Sequence, residues 1–250
     1  MPVRTTNGRN VRELFVYILI ERLKNLLYIL MAVVLTGCEV IAPDNRLIPV
    51  TPEEPIGTRK HVLLEFTGFR CVNCPTAAEL AQNLEKQYQE RLILVSLHPA
   101  SNPFTQGLYD YTCPAADSVY KYLDGTASTP FPAGNLNIRS YEGDNFVNMS
   151  EWPTMVYNAM QDTLVPALDQ AEVSYWLVED SVLGVQAMPD GTIDMAYYHR
   201  HVLRDIQADK ADLTIPEGSN PAQLYLITVY SDSKDKHILH ANEEKYLIGD

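Results

Sequence analysis

Basic residues are scarce in this 250-residue chain: 19 Lys and Arg stand against 32 Asp and Glu, giving a net charge of −13. The imbalance steepens past the first segment. Residues 1–37 hold five basic and two acidic residues, so they carry +3 and residues 38–250 carry −16. Such an acidic body disfavours nucleic acid or an anionic membrane surface as a partner, because both present negative charge. Also missing is an apolar run long enough to cross a bilayer, which takes about 20 residues. The longest run, residues 26–35, has ten. At about 1.5 Å per residue it covers half of a hydrocarbon core of roughly 30 Å. No ladder of regular alternating strands is present, so an outer-membrane barrel is disfavoured along with an integral helix bundle. No internal repeat is visible. Cysteine is limited to four residues, Cys38, Cys71, Cys74 and Cys113, and their placement carries most of the chemistry.

Residues 26–35 follow Arg22 and Lys24 and end in small residues before Cys38. A second apolar run, Leu14 to Ile20, is separated from them by the polar stretch Glu21–Asn25. This arrangement fits the apolar region of a signal peptide better than a span. The stretch Leu35-Thr36-Gly37-Cys38 resembles the lipobox of bacterial lipoproteins. The resemblance implies a signal peptide over residues 1–37, cleavage before Cys38, and acylation of the Cys38 thiol and its new amino terminus. The membrane is then a partner through lipid alone, each buried CH₂ contributing about 0.8 kcal/mol. The competing reading is a cysteine that merely ends a buried helix. Residues 38–60, with Pro43, Pro49, Pro52 and Pro55, read as an extended lipidated tether. Export would place the chain in an oxidising compartment, where Cys71 and Cys74 rest as a disulfide unless reduced. Cys113 then has no obvious partner.

The segment His61–Thr67 is a strong strand candidate. Pro75 suits the first turn of a helix, and Ala77, Leu80, Ala81, Leu84 and Tyr88 recur at helical spacing through Arg91. Leu92–His98 is a second apolar strand. Strand, helix and strand with short connections predict a right-handed βαβ unit with parallel strands. Residues 114–123 read as a helix, 135–139 as a short strand, and 152–164 as a helix with Ser150 as its N-cap. From about residue 172 the texture is β-rich: residues 173–178 and 224–230 are long strand candidates, and Pro189-Asp190-Gly191 and 231–235 are turns. The expected fold is an α/β domain over 61–165 followed by a mainly antiparallel β domain over 166–250.

Cys71-Val72-Asn73-Cys74 sits at the strand-to-helix turn. Free N–H groups and the macrodipole favour an anion there, and Arg70 adds positive charge, so a thiolate at Cys71 is favoured. Exchange would run through a mixed disulfide at Cys71, resolved by Cys74. Two further features match the thioredoxin superfamily. Glu65 lies six residues before Cys71, the offset of a buried carboxylate that assists the proton of the second cysteine. Phe131-Pro132 precedes a strand and resembles the cis-proline loop that pairs with extended substrates, with Thr129-Pro130 as the competing assignment. The catalytic candidates are therefore Cys71, Cys74, Glu65 and Pro132.

Plainer readings stand beside these. The disulfide can be an inert staple, and Glu65 can be a solvent-facing strand residue. A zinc site needs four ligands; Cys71, Cys74, Cys113 and His98 would have to supply them, and only the first two have ligand spacing. Cys113 reads as a buried apolar residue. His199 and His201 alternate on a strand-like stretch and suit a metal pair less well than ordinary structural positions.

The stretch Val62–Pro75 (VLLEFTGFRCVNCP) resembles the signature of the outer-membrane-protein-twenty-eight-related lipoproteins of Bacteroidota. So do Thr129–Asn137 (TPFPAGNLN), Leu177–Gln186 (LVEDSVLGVQ) and Tyr198–Arg204 (YHRHVLR), in that order. The resemblance covers about residues 60–250. It implies a thioredoxin-like domain followed by a β-rich domain on an outer-membrane lipoprotein, and it implies little biochemistry; no cofactor is expected. Two functional classes follow: a thiol–disulfide oxidoreductase acting on exported protein thiols or disulfides, or a non-enzymatic envelope binding protein in which the disulfide is structural.

Overall fold

The computed structural model describes residues 20–24 and 58–247. The chain divides into two units, residues 1–51 and 52–250. In the first, residues 20–24 are helical, and Glu21 and Lys24 pair at 3.7 Å. The rest of the expected signal peptide, Cys38, and the tether up to residue 57 lie outside the described residues. Among the described residues no helix is long and apolar enough to cross a membrane.

The second unit is a mixed α/β structure with a large, mainly antiparallel sheet. Its elements are β1 (His61–Phe66), α1 (Cys74–Tyr88), β2 (Leu92–Leu97), α2 (Pro114–Tyr122), β3 (Ala133–Leu136), β4 (Val147–Asn148), α3 (Trp152–Ala159), β5 (Glu172–Glu179), β6 (Val182–Ala187), β7 (Ile193–His199), β8 (Val202–Gln207), β9 (Leu224–Ser231) and β10 (Ile238–Lys245). Eight strands form one sheet in the order β10-β9-β5-β8-β2-β1-β3-β4, and β6 and β7 form a separate hairpin. β1 runs parallel to β2 and antiparallel to β3. The expected βαβ unit is therefore present, and its second strand has a further parallel neighbour in β8.

All six residues of β1 and all six of β2 are buried, which is why both read as unbroken apolar runs. Alternation divides their side chains between two cores. Val62, Leu64 and Phe66 join Ile93, Val95, Leu97, Trp176, Ile227 and the α2 residues Ala116 and Tyr120. Leu63, Leu92 and Leu94 meet Ala77, Ala81 and Leu84 of α1, with Trp152, Met155 and Val156 of α3. The buried α1 positions repeat at three to four residues, as one face of a helix requires.

Several boundaries differ from the sequence expectation. The helix over 152–164 stops at Ala159, and Ser150 belongs to a preceding 3₁₀ turn that Asn148 caps. The strand expected at 135–139 begins earlier and ends at Leu136, because Asn137 and Ile138 adopt left-handed backbone angles of 60° and 54°. The final residues of the expected tether belong to the folded body. Thr58 bridges to Leu164, and the buried Arg59 guanidinium donates to the carbonyls of Leu239 and Ile238 and pairs with Asp162. Ile238 N also donates to Asn137 O at 2.9 Å, so the sheet curls until the edge strand β10 returns to the segments flanking β1 and β3. The segments 61–165 and 166–250 supply strands to this one sheet, meeting where Ser96 of β2 pairs with Val202 of β8.

Gly134 of β3 packs against the fully buried Trp152, whose Nε1–H donates to Val147 O at 3.0 Å. A Cβ at this position would fall inside contact distance of the indole nitrogen. Gly134→Ala is expected to cost about 1–3 kcal/mol through overpacking, read as a lower midpoint in chemical denaturation. An unchanged midpoint would contradict the packing described.

Candidate functional site

The turn after β1 is tight: Cys71 N donates to Gly68 O at 3.0 Å, and Cys74 N donates to Cys71 O at 3.2 Å. Cys74 is the first residue of α1, Pro75 follows in its first turn, and Asn73 makes no side-chain cap. Cys71 and Cys74 form a disulfide with their Cα atoms 5.4 Å apart. The sulfurs thus lie where the first free N–H groups of the helix gather. Arg70 is exposed and hands a hydrogen bond to Gln106 O. Both cysteines are only 2% exposed.

The β6–β7 hairpin is bonded to this turn. Gln186 Nε2 donates to Cys71 O at 2.9 Å and to Ala187 O, while Ala187 N donates to Phe69 O at 2.8 Å. Tyr111 Oη accepts from Val185 N at 2.9 Å. Gly184 lets the hairpin approach, since a Cβ there would collide with the Tyr111 hydroxyl. The hairpin's two ends turn through Ser181 and His201, both left-handed, at φ 56° and 53°.

Behind the disulfide is a small polar cavity lined by Cys74, Glu65, Ser96, His98, Tyr197 and His199, among others. Glu65 faces it from β1 and is 5% exposed, which excludes the solvent-facing alternative. Its Oε2 accepts from Ser96 Oγ at 3.2 Å. Burial pushes its pKa up to about 7, against the opposing pull of the Ser96 hydroxyl. Burial also holds His98 well below the ordinary histidine value, helped by His199 and Arg204. His199 is lowered to about 4 by burial, although its contact with Val185 O opposes the shift. Tyr197 is raised to about 12, first by burial and then by the neighbouring Glu65 charge. The site therefore stores neutral forms of acid and base side by side.

Pro132 follows Phe131 through a cis peptide bond and leads directly into β3, whose first residue Ala133 lies opposite Phe66 at the end of β1. Pro132 thus stands at the sheet end from which the Cys71–Cys74 turn departs, and Phe131 shares the buried cluster of both cysteines. Pro130 is not preceded by a cis bond. Cys113 is buried and caps α2: its Sγ accepts from Ala116 N and donates to Leu203 O, each at 3.4 Å. Burial raises its pKa.

His199 and His201 do not form the alternating pair that the sequence suggested. Both line the cavity, but His199 does so from the end of β7 and His201 from the turn to β8, where its Nε2 lies 3.6 Å from Glu85 Oε1. Among the described residues no group of three or more His, Cys, Asp or Glu is arranged to hold a metal ion. The four zinc candidates are not assembled, because two of them are spent in the disulfide and Cys113 is bonded to backbone. Sequence reasoning missed Gln186, Ser96 and Tyr197, and treated His98 only as a possible metal ligand. The sole signal for Gln186 was its place in a family-like segment.

No protein-family model matches the chain, and no curated protein matches it in sequence. Solved structures do. HBP35 of Porphyromonas gingivalis is similar at a TM-score of 0.54 and 15% identity, over 76% of this chain and 76% of that one. A protein of Agrobacterium tumefaciens aligns at a TM-score of 0.43 and 12% identity, over 77% of this chain and 98% of that one. The likeness to HBP35 concerns the fold. It comes from a member of the Bacteroidota, the group named by the sequence resemblance.

The Glu65 pKa makes a signed prediction. The unfolded chain loses this proton near pH 4.5 and the folded protein near pH 7. In that window the folded state binds the extra proton, so the Glu65 contribution to stability falls as pH rises from 4.5 to about 7 and is level above it. The full loss is of order 3 kcal/mol. His199 works in the opposite sense, its contribution falling as pH drops from 6.5 to about 4. Glu65→Gln is expected to remove the Glu65 contribution, so that between pH 4.5 and about 7 its stability falls less, or rises more, than that of the wild type, read by denaturant titration across pH. A variant that keeps the wild-type profile would show that Glu65 is not the group responsible.

Proposed function

We propose that this protein is a thioredoxin-like thiol–disulfide oxidoreductase of the cell envelope, anchored to the outer membrane by lipid at Cys38. The observation that carries the redox reading is the disulfide at the start of α1 with a buried carboxyl, bonded only to a serine hydroxyl, in the cavity behind its second cysteine. A structural staple has no need of a desolvated acid beside it. The strand order β2-β1-β3-β4, with α1 crossing between the parallel pair and Pro132 entering β3, supports the thioredoxin-like assignment.

In the oxidising direction, a client thiolate attacks Cys71 Sγ. The Cys71–Cys74 bond breaks, its electron pair leaves with Cys74, and Glu65 supplies the proton that makes the Cys74 thiol. A second client thiolate then attacks the client sulfur of the mixed disulfide, releasing oxidised client and the Cys71 thiolate. Reduction of a client disulfide is the reverse sequence. Pro132 enters β3 at the sheet end from which the turn departs, and in this reading it would position an extended client. Because both cysteines are buried, exchange requires local opening at the turn, and the β6–β7 hairpin bonded to the Cys71 and Phe69 carbonyls is the element to move.

The same burial favours a second reading, in which the disulfide is a structural element of a non-enzymatic envelope binding protein. A cysteine 2% exposed is a poor target for a client thiolate. Two measurements separate the readings. A reduction potential above about −270 mV belongs to working exchange proteins and one below about −300 mV to structural disulfides. In addition, Cys74→Ser is expected to trap mixed disulfides at Cys71 in cells, separable under non-reducing conditions. A potential below the lower bound with no trapped species would establish the structural reading.

The anchor rests on Leu35-Thr36-Gly37-Cys38. Incorporation of labelled palmitate into the full chain is expected and should be lost in Cys38→Ala, with the variant released from membranes. Label that persists in the variant would place the acyl group elsewhere.

A further inference from the structure

Four polar atoms among the residues lining the cavity behind the disulfide have no hydrogen-bond partner: Glu65 Oε1, both ring nitrogens of His98, and His201 Nε2, which has only the Glu85 carboxylate at 3.6 Å. Glu65 and His98 are both buried, at 5% and 2% exposure. Burial without a partner is costly, so such atoms call for an explanation. The cavity offers about 20 Å³ to the centre of a water molecule, where roughly 10–15 Å³ suffices. It is also polar, as a buried water requires.

We infer that a water molecule bridges Glu65 Oε1 to His98, making His98 the positioning residue for the carboxyl group that serves Cys74. His98 donates a ring N–H to the water, and the water donates to Oε1. Ser96 already donates to Oε2 at 3.2 Å. When Glu65 gives its proton to the departing Cys74 thiolate, the resulting carboxylate is then held by a donor on each oxygen. No other bond forms or breaks, and the proton returns to Glu65 when the disulfide re-forms. Without the bridge, negative charge on Oε1 would be stranded in a desolvated pocket.

Glu65 is faced by Cys74 from α1, by Tyr197 and His199 from β7, and by Arg200 and His201 from the turn to β8. His98 lies with its ring centroid 5.5 Å from His199 and 5.6 Å from Tyr111, and it also feels Arg204. His201 carries its own acidic neighbour, Glu85, at 3.6 Å. Of these groups, His98 alone combines complete burial with two unpartnered nitrogens.

The part played for Cys74 rests on the exchange reading above, but the effect on Glu65 does not. The test is therefore the titration of the Glu65 carboxyl, followed by ¹³C NMR in the oxidised full-length protein, wild type against His98→Leu and His98→Gln. Loss of the donor in His98→Leu should raise the Glu65 midpoint by roughly one pH unit, and the amide of His98→Gln should restore it. A folded His98→Leu variant with an unmoved midpoint overturns the inference. A second measurement needs no variant: a high-resolution crystal structure of the oxidised protein should show a water within hydrogen-bond distance of Glu65 Oε1 and a His98 nitrogen. A cavity whose density shows no such bridge overturns it too. If the midpoint follows His98 while the protein exchanges no disulfides, the redox reading fails and the bridge stands. If disulfides are exchanged and the midpoint ignores His98, the reverse holds.

Discussion

One backbone contact organises this molecule: Ser96 N of β2 donates to His201 O at 2.8 Å, at the single register pair that joins β2 to β8. Through it the strands of the N-terminal segment and those of the C-terminal segment become one sheet. The hairpin β6–β7 immediately precedes this junction in the chain, so fixing His201 against β2 also brings His199 and Tyr197 to the cavity and Gln186 to the Cys71 carbonyl. The contact between hairpin and turn is thus a consequence of how the sheet is completed.

The interior next to the disulfide is electrostatically unusual for a chain so rich in carboxylates. Acidic groups elsewhere are mostly solvated or paired, as Glu179 is with the guanidinium of Arg204 at 2.8 Å. Glu65 has only a hydroxyl donor. With no cation to compensate its desolvation, the protonated form prevails up to about neutral pH. The surrounding histidines lose their charge for the same reason. A proton passed between two groups inside such a cavity leaves its net charge unchanged, which suits chemistry in which a thiol is alternately bonded and freed.

The price of this arrangement is access. Two-stranded hairpins are weak on their own, and this one is held to the turn by a few hydrogen bonds and by the packing of Tyr111, His98 and His199. Its outer face exposes Leu183, Ile193, Met195 and Tyr198. Local opening of such an element is cheaper than global unfolding, so a buried disulfide and exchange with clients are physically compatible.

Local pattern made much of the fold legible. The two strands and the helix over 61–91 were readable because strands buried on both faces are continuous apolar runs and α1 repeats at helical spacing. Cys71, Cys74 and Glu65 could be nominated from their positions on those elements, and Pro132 because Phe131-Pro132 precedes a strand. What the residues could not disclose is whatever depends on contacts far apart in the chain. Glu65 on β1 reads alike whether it faces water or protein, and only the packing of α1 and the hairpin around it made it a buried acid. Gln186 meets Cys71 across 115 positions, and His98 meets His199 only because β8 pairs with β2. The sequence by itself determined the local elements, the charge balance and the identity of the two thiols, since these follow from neighbouring side chains. Only the tertiary structure decided that one sheet spans both halves, that the disulfide is covered, and that a carboxyl and two histidines share a desolvated pocket, because register and burial are settled between segments that no local periodicity connects.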